Sequence, residues 1–148
     1  AMLSTKKELL FDATALGGLV VFGSIIVVSA VLAKPLAIQL FAGLIFCMIL
    51  SYTIRAIYFR QRPDKSKVIT WYDRLTQSSF PSLHSMRSIT LGLLLANYFN
   101  NRYLWVFFPA LILLVLYTRF ALKRHYTSDI IAGAVGGIII SLAVIFFM

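Results

Sequence analysis

Acidic side chains are few in this sequence. Its 148 residues include only five Asp and Glu against fourteen Lys and Arg. The five, Glu8, Asp12, Asp64, Asp73 and Asp129, are too scattered to cage a divalent cation, which takes its ligands from clustered oxygens. Cysteine is scarcer still: Cys47 stands alone, which excludes an intrachain disulfide framework and a cysteine metal site. Inside an apolar run it reads as packing. Eight glycines are present, but none forms a phosphate loop, which needs a strand before it and usually a Lys after it. Charge of either sign is low at 13%, about half of what a soluble domain carries, so an ordinary soluble domain is excluded.

What remains is apolar. Hydrophobic residues make up 60% of the chain and mean hydropathy is +0.88, the composition of an integral membrane protein. A helix needs about 20 largely apolar residues to cross a bilayer, and the sequence divides into about five such stretches, near residues 10–33, 35–59, 82–99, 103–119 and 128–148. The expected fold is all-α, a polytopic transmembrane helical bundle forming one domain over residues 1–148. Lys34-Pro35 and Asn100-Asn101-Arg102 supply turns, and Pro109 is a kink point in the fourth span. Residues 60–80 form the one long polar loop, with Trp71 and Tyr72 suited to the membrane interface. Gly133 and Gly137 make a GxxxG pair, which lets helices approach closely. The net charge of +9 fits membrane topology and lipid headgroups better than nucleic acid.

Five spans put residues 1–8, the 60–80 loop and the 119–126 link on one face of the membrane. Every residue with chemistry to offer falls there, including the only two histidines, His84 and His125. Guanidinium forks match the oxygens of a phosphoryl group in flight, and Arg55, Arg62 and Arg119 supply three. Arg55 and Arg62 share a helix face if the helix runs through both, at about two turns' separation. Asp129 follows His125 by one helical turn, close enough to reach the imidazole if a helix begins there. Such a carboxylate fixes the tautomer and leaves the other ring nitrogen free as a nucleophile. His84 is then the acid for the departing alkoxide.

Arg55-x6-Arg62-Pro63, Pro81-Ser82-Leu83-His84 and Thr118-Arg119-x5-His125-x3-Asp129 resemble, in order and internal spacing, the three signature motifs of the type 2 phosphatidic acid phosphatase superfamily. The resemblance covers about residues 55–129. It implies a metal-independent hydrolase of lipid phosphates, isoprenoid diphosphates among them, with no cofactor. His125 would form a phosphohistidine, Asp129 would orient it, His84 would protonate the leaving group, and Arg55, Arg62, Ser82 and Arg119 would hold the phosphate. Leu83 would contribute its backbone N–H there. Three positions depart from the family pattern: Arg55 replaces a lysine, Leu83 a glycine and Thr118 a serine.

Lys123 and Arg124 read as interface anchors, and Arg87 as either a phosphate contact or the partner of an acid such as Asp73. The function expected is hydrolysis of a phosphomonoester or diphosphate on a lipid in the bilayer. Two alternatives share the same residues: a phosphotransferase that passes the phosphate from His125 to a second lipid, and a lipid-phosphate carrier without chemistry. Lys6, Lys7, Arg60, Lys65, Lys67, Arg74, Arg87, Lys123 and Arg124 lie on the site face, against Lys34 and Arg102 opposite. The positive-inside rule then turns the site toward the cytoplasm.

Overall fold

The computed structural model describes residues 18–63 and 69–148. Within them lie six helices and no strand: α1 (Leu19–Leu32), α2 (Lys34–Ile57), α3 (Trp71–Gln77), α4 (Leu83–Phe99), α5 (Leu104–Ala121) and α6 (Thr127–Phe147). The all-α class is as expected, but the span count is not met in full. Three helices, α2, α5 and α6, are long and apolar enough to cross a membrane. Helix α1 covers 14 described residues and α4 covers 17. At 1.5 Å per residue these reach about 21 and 25 Å, against a hydrocarbon core of about 30 Å. The first part of the expected 10–33 span lies outside the described residues.

Helix α4 is less apolar for a physical reason. Twelve of its seventeen residues are buried, against α2, α5 and α6, so its polar side chains face protein instead of lipid. The other helices turn large apolar residues outward, among them Val31, Phe41, Val106, Leu142 and Phe146, as a lipid-facing wall requires. The core between them is built from Phe22, Leu36, Leu40, Leu94, Ile140 and Val144.

Small residues set how closely α6 lies on α4. A methyl group on Gly137 would sit 2.6 Å from the Met86 carbonyl oxygen, and one on Gly133 would collide with the Ser82 carbonyl. The GxxxG pair is therefore the surface that brings the start of α6 against the start of α4. Thr90 links three helices at this depth: its Oγ1 donates to the Gly137 carbonyl at 3.3 Å and lies 3.3 Å from Cys47 Sγ. Cys47 is fully buried, in keeping with a packing role.

Pro109, the expected kink point, lies inside α5, which is continuous from Leu104 to Ala121. One local feature differs from expectation. The polar loop contains α3, whose N-terminus is closed by a capping box: Thr70 Oγ1 accepts from Asp73 N at 3.1 Å and Asp73 Oδ2 accepts from Thr70 N at 2.9 Å. The Thr-x-x-Asp spacing announces that cap, but a seven-residue helix is too short to show an apolar period.

Candidate active site

The C-terminal ends of α2 and α5 and the N-terminal ends of α4 and α6 meet at one end of the bundle, as their antiparallel order requires. Ser79, in the segment leading into α4, ties them together. Its N–H donates to the Arg60 carbonyl at 2.7 Å, its hydroxyl donates to Asp129 Oδ2, and its carbonyl lies 2.7 Å from His125 Nδ1. A second backbone bond, Ser82 N to Asp129 O at 3.0 Å, fixes the start of α4 on the start of α6.

A carbonyl oxygen only accepts, so Nδ1 of His125 must carry the proton and Nε2 keeps its lone pair. His125 is 3% exposed, and its pKa is pushed down to about 3, first by burial and then by the charge of Arg119. The ring is neutral at physiological pH. Arg119 Nη2 stands 3.4 Å from Nε2, which places a guanidinium beside the lone pair. His125 also borders a cavity of about 350 Å³ with Pro63, Phe120, Lys123 and Tyr126.

Asp129 does not touch the imidazole. Helix α6 begins at Thr127, after His125, so one-turn helical spacing does not relate the two. The carboxylate is fully buried and engaged at both oxygens: Oδ1 accepts from Arg60 Nη1 at 2.7 Å, and Oδ2 accepts from Tyr126 N at 2.9 Å and from the Ser79 hydroxyl. Its link to His125 runs through Ser79, whose two oxygens face the two residues. Sequence reasoning assigned the orienting contact to Asp129; the structure places the Ser79 carbonyl on that nitrogen.

Helix α2 ends at Ile57, so Arg55 and Arg62 are not two turns of one helix. Arg55 is buried and donates through Nη1 to the Leu75 carbonyl and through Nη2 to the Pro81 carbonyl, each at 2.9 Å. It braces the loop that carries Ser79 and leaves Nε, a buried donor without a hydrogen-bond partner, and its charge. Arg62 donates to the Thr76 carbonyl at 3.0 Å, and its charge acts on Arg55, Arg119 and both histidines. The Nε of Arg119 is likewise buried without a hydrogen-bond partner. Donors converge here while the carboxylate nearby is already satisfied.

Ser82 caps α4, its Oγ accepting from Ser85 N at 3.5 Å and also from Ser85 Oγ at 2.9 Å, and is fully buried. Leu83 turns its side chain into the hydrophobic core and offers the site only its backbone. The first-turn N–H groups of Leu83 and His84 have no hydrogen-bonded carbonyl among the described residues, which leaves them available to an anion. His84, half-buried, makes no side-chain hydrogen bond there, and the charges of Arg119, Arg87 and His125 act on it. The eight residues singled out in the sequence are thus gathered at one end of the bundle, with Arg55, Ser82 and Leu83 acting largely as frame.

Residues 36–148 match the profile of the PAP2 superfamily. The chain belongs to that superfamily. The crystal structure of Aquifex aeolicus LpxE superimposes with a TM-score of 0.80 at 18% identity, over 97% of this chain and 87% of the other. That likeness is one of fold. No curated protein matches this sequence.

Within this PAP2 protein, sequence reasoning missed two site residues. Arg60, counted there as a topology charge, pairs with Asp129, bonds Ser128 Oγ at 2.7 Å and stacks 4.2 Å above the Tyr126 ring. Ser79 orients His125 through a backbone carbonyl, which any residue possesses, so its identity carried no signal. Among the described residues no three His, Cys, Asp or Glu side chains are grouped to hold a metal ion.

Proposed function

We propose that the chain is a lipid phosphate phosphatase acting through a phosphohistidine at His125 Nε2. The observation that carries this reading is the His125 environment: Nδ1 is committed to the Ser79 carbonyl, and Nε2 holds a lone pair beside Arg119. A neutral imidazole so held attacks phosphorus without first losing a proton. As the Nε2–P bond forms, the P–O bond to the leaving group breaks and His84 supplies the proton to the departing oxygen. Arg62 and Arg119 with the α4 amides balance charge on the equatorial oxygens. Water, losing its proton to His84, then cleaves the P–N bond and releases phosphate. No step calls for a metal.

A lipid substrate is supported by the surface beyond His84. Ser88, Leu91 and Leu95 continue its stripe along α4 at helical spacing and line a cavity of about 120 Å³ with Ile25 of α1 and Phe108 and Val115 of α5. Ile25 and Leu95 also border the neighbouring apolar cavity that ends at Tyr98 and Phe99. These two apolar cavities lie along α4 on the side to which a tail leaving the headgroup site would run. The proposed setting is a five-span bundle in which α1 and α4 also cross, since the catalytic ends of α2, α4, α5 and α6 lie together only if α4 returns the chain through the full depth.

Phosphate release from a panel of acyl and isoprenoid phosphates and diphosphates, in detergent without added metal or acceptor lipid, tests the reading. Turnover is expected, insensitive to EDTA, and His125→Ala should abolish it while substrate still binds. Parental turnover by His125→Ala would remove the mechanism, binding without release by the parent would favour a carrier, and release only when a second lipid is added would favour a phosphotransferase.

A further inference from the structure

Arg87 lies one turn beyond His84 on α4 and belongs to none of the three motifs. It is 6% exposed, and no hydrogen bond or ion pair joins its side chain to any described residue. Its electrostatic neighbours are the Tyr52 phenol and the Cys47 thiol instead of a carboxylate. The two described acids are engaged elsewhere, Asp73 in the α3 capping box and Asp129 with Arg60 and Ser79, so pairing with Asp73 is not realised. A guanidinium this buried is costly unless an anion joins it, and among the described residues the protein supplies none.

Its position says which anion. Arg87 follows His84 by three residues on α4, which sets it one turn along on the same face, whereas the groups in contact with His125 are Arg119 and the Ser79 carbonyl. Arg87 thus stands at the leaving-group end of the site. A lipid alcohol leaving from there carries no charge beyond the oxygen that His84 protonates. A lipid monophosphate leaving from a diphosphate brings further anionic oxygens, which a guanidinium fork fits.

We propose that Arg87 binds the non-transferred phosphate of a lipid diphosphate, making this chain selective for diphosphates over monophosphates with the same tail. The inference rests on the His125 and His84 roles proposed above. In the reaction the terminal phosphorus bonds to His125 Nε2, the bond from that phosphorus to the bridging oxygen breaks, and the electron pair and the His84 proton go to the bridging oxygen. Arg87 holds the lipid monophosphate that departs, and water returns His125 as before.

Full-length protein in detergent, given farnesyl diphosphate and farnesyl monophosphate, tests this with Arg87→Met and Arg87→Lys. The parent should prefer the diphosphate. Arg87→Met should reduce kcat/KM for the diphosphate about ten- to a hundredfold, the worth of a hydrogen bond to a charged group, with a smaller loss on the monophosphate, so that selectivity collapses; Arg87→Lys should recover part of it. A readout independent of turnover is thermal unfolding with inorganic diphosphate or phosphate added: diphosphate should raise the parent's Tm more, and Arg87→Met should erase the difference. Equal losses on both substrates, or a parent that prefers the monophosphate, would overturn the inference and leave the phosphatase reading intact. A parent that cleaves neither would remove both.

Discussion

At the residue scale, the site works by withholding partners from some groups and committing others. His125 is committed at Nδ1 and open at Nε2, while Asp129, the residue expected to hold it, is engaged by Arg60 and Ser79. A pH prediction follows from the buried imidazole. Its pKa is about 3 in the folded chain against an ordinary 6.5, so between those values the unfolded chain takes up a proton that the folded one refuses. This residue's contribution to stability is therefore complete above pH 6.5 and declines as pH falls toward 3. ¹⁵N NMR of the histidine side chains should show His125 as the neutral Nδ1–H tautomer from pH 8 down to 5. A midpoint near 6.5 would contradict its burial, and an Nε2–H tautomer would contradict the nucleophile. The sequence disclosed both histidines and three arginines by type and spacing. It did not disclose Ser79, because a backbone carbonyl has no residue signature, or Arg60, because a cation at an interface looks the same whether it anchors a helix or pairs with a buried acid.

At the element scale, the geometry of the site depends on how closely α6 lies against α4, and glycine decides that. Gly133 faces the Ser82 carbonyl, and a backbone neighbour cannot swing aside as a side chain can. Gly133→Ala should cost about 1–3 kcal/mol through overpacking. It should also reduce kcat by up to about a hundredfold, because a displacement of about 1 Å at the Ser82 turn misaligns the site. Gly23 in α1 has nothing within 4 Å of where its methyl group would lie; Gly23→Ala should be neutral or gain up to about 1 kcal/mol from helix propensity. Thermal unfolding in detergent and kcat on one substrate separate the two, and equal effects would break the link between this packing and the site. The GxxxG spacing made the close approach legible, but not the partner helix. The five apolar stretches were legible as helices, and α3 was not, since a short capped turn leaves no periodic trace. Helix α4 shows the limit of hydropathy: a helix surrounded by other helices is released from the apolar composition that lipid would demand.

For the whole molecule, the open choice is which way the site faces, and the structure alters the charges that bear on it. Arg60 is tied to Asp129 and Arg87 is buried, so neither is a topology signal in the headgroup region. Among described residues Arg74, Lys123 and Arg124 remain at the site end; Lys6, Lys7, Lys65 and Lys67 lie outside them. The opposite end has Lys34 and Arg102, and Arg102 lies 4.9 Å above the Tyr103 ring, a contact that does not remove its charge. The excess shrinks but keeps its sign, and flanking Lys and Arg are retained on the cytoplasmic side. We therefore propose a site facing the cytoplasm, an orientation that would put the end of α6 outside. A reporter joined after Met148 decides the matter: one active only outside the cell membrane should work there, and a fluorescent protein that matures only in the cytoplasm should stay dark. The reverse pattern would turn the bundle over and give Lys123 and Arg124, beside the His125 cavity, to the attraction of anionic headgroups instead of topology.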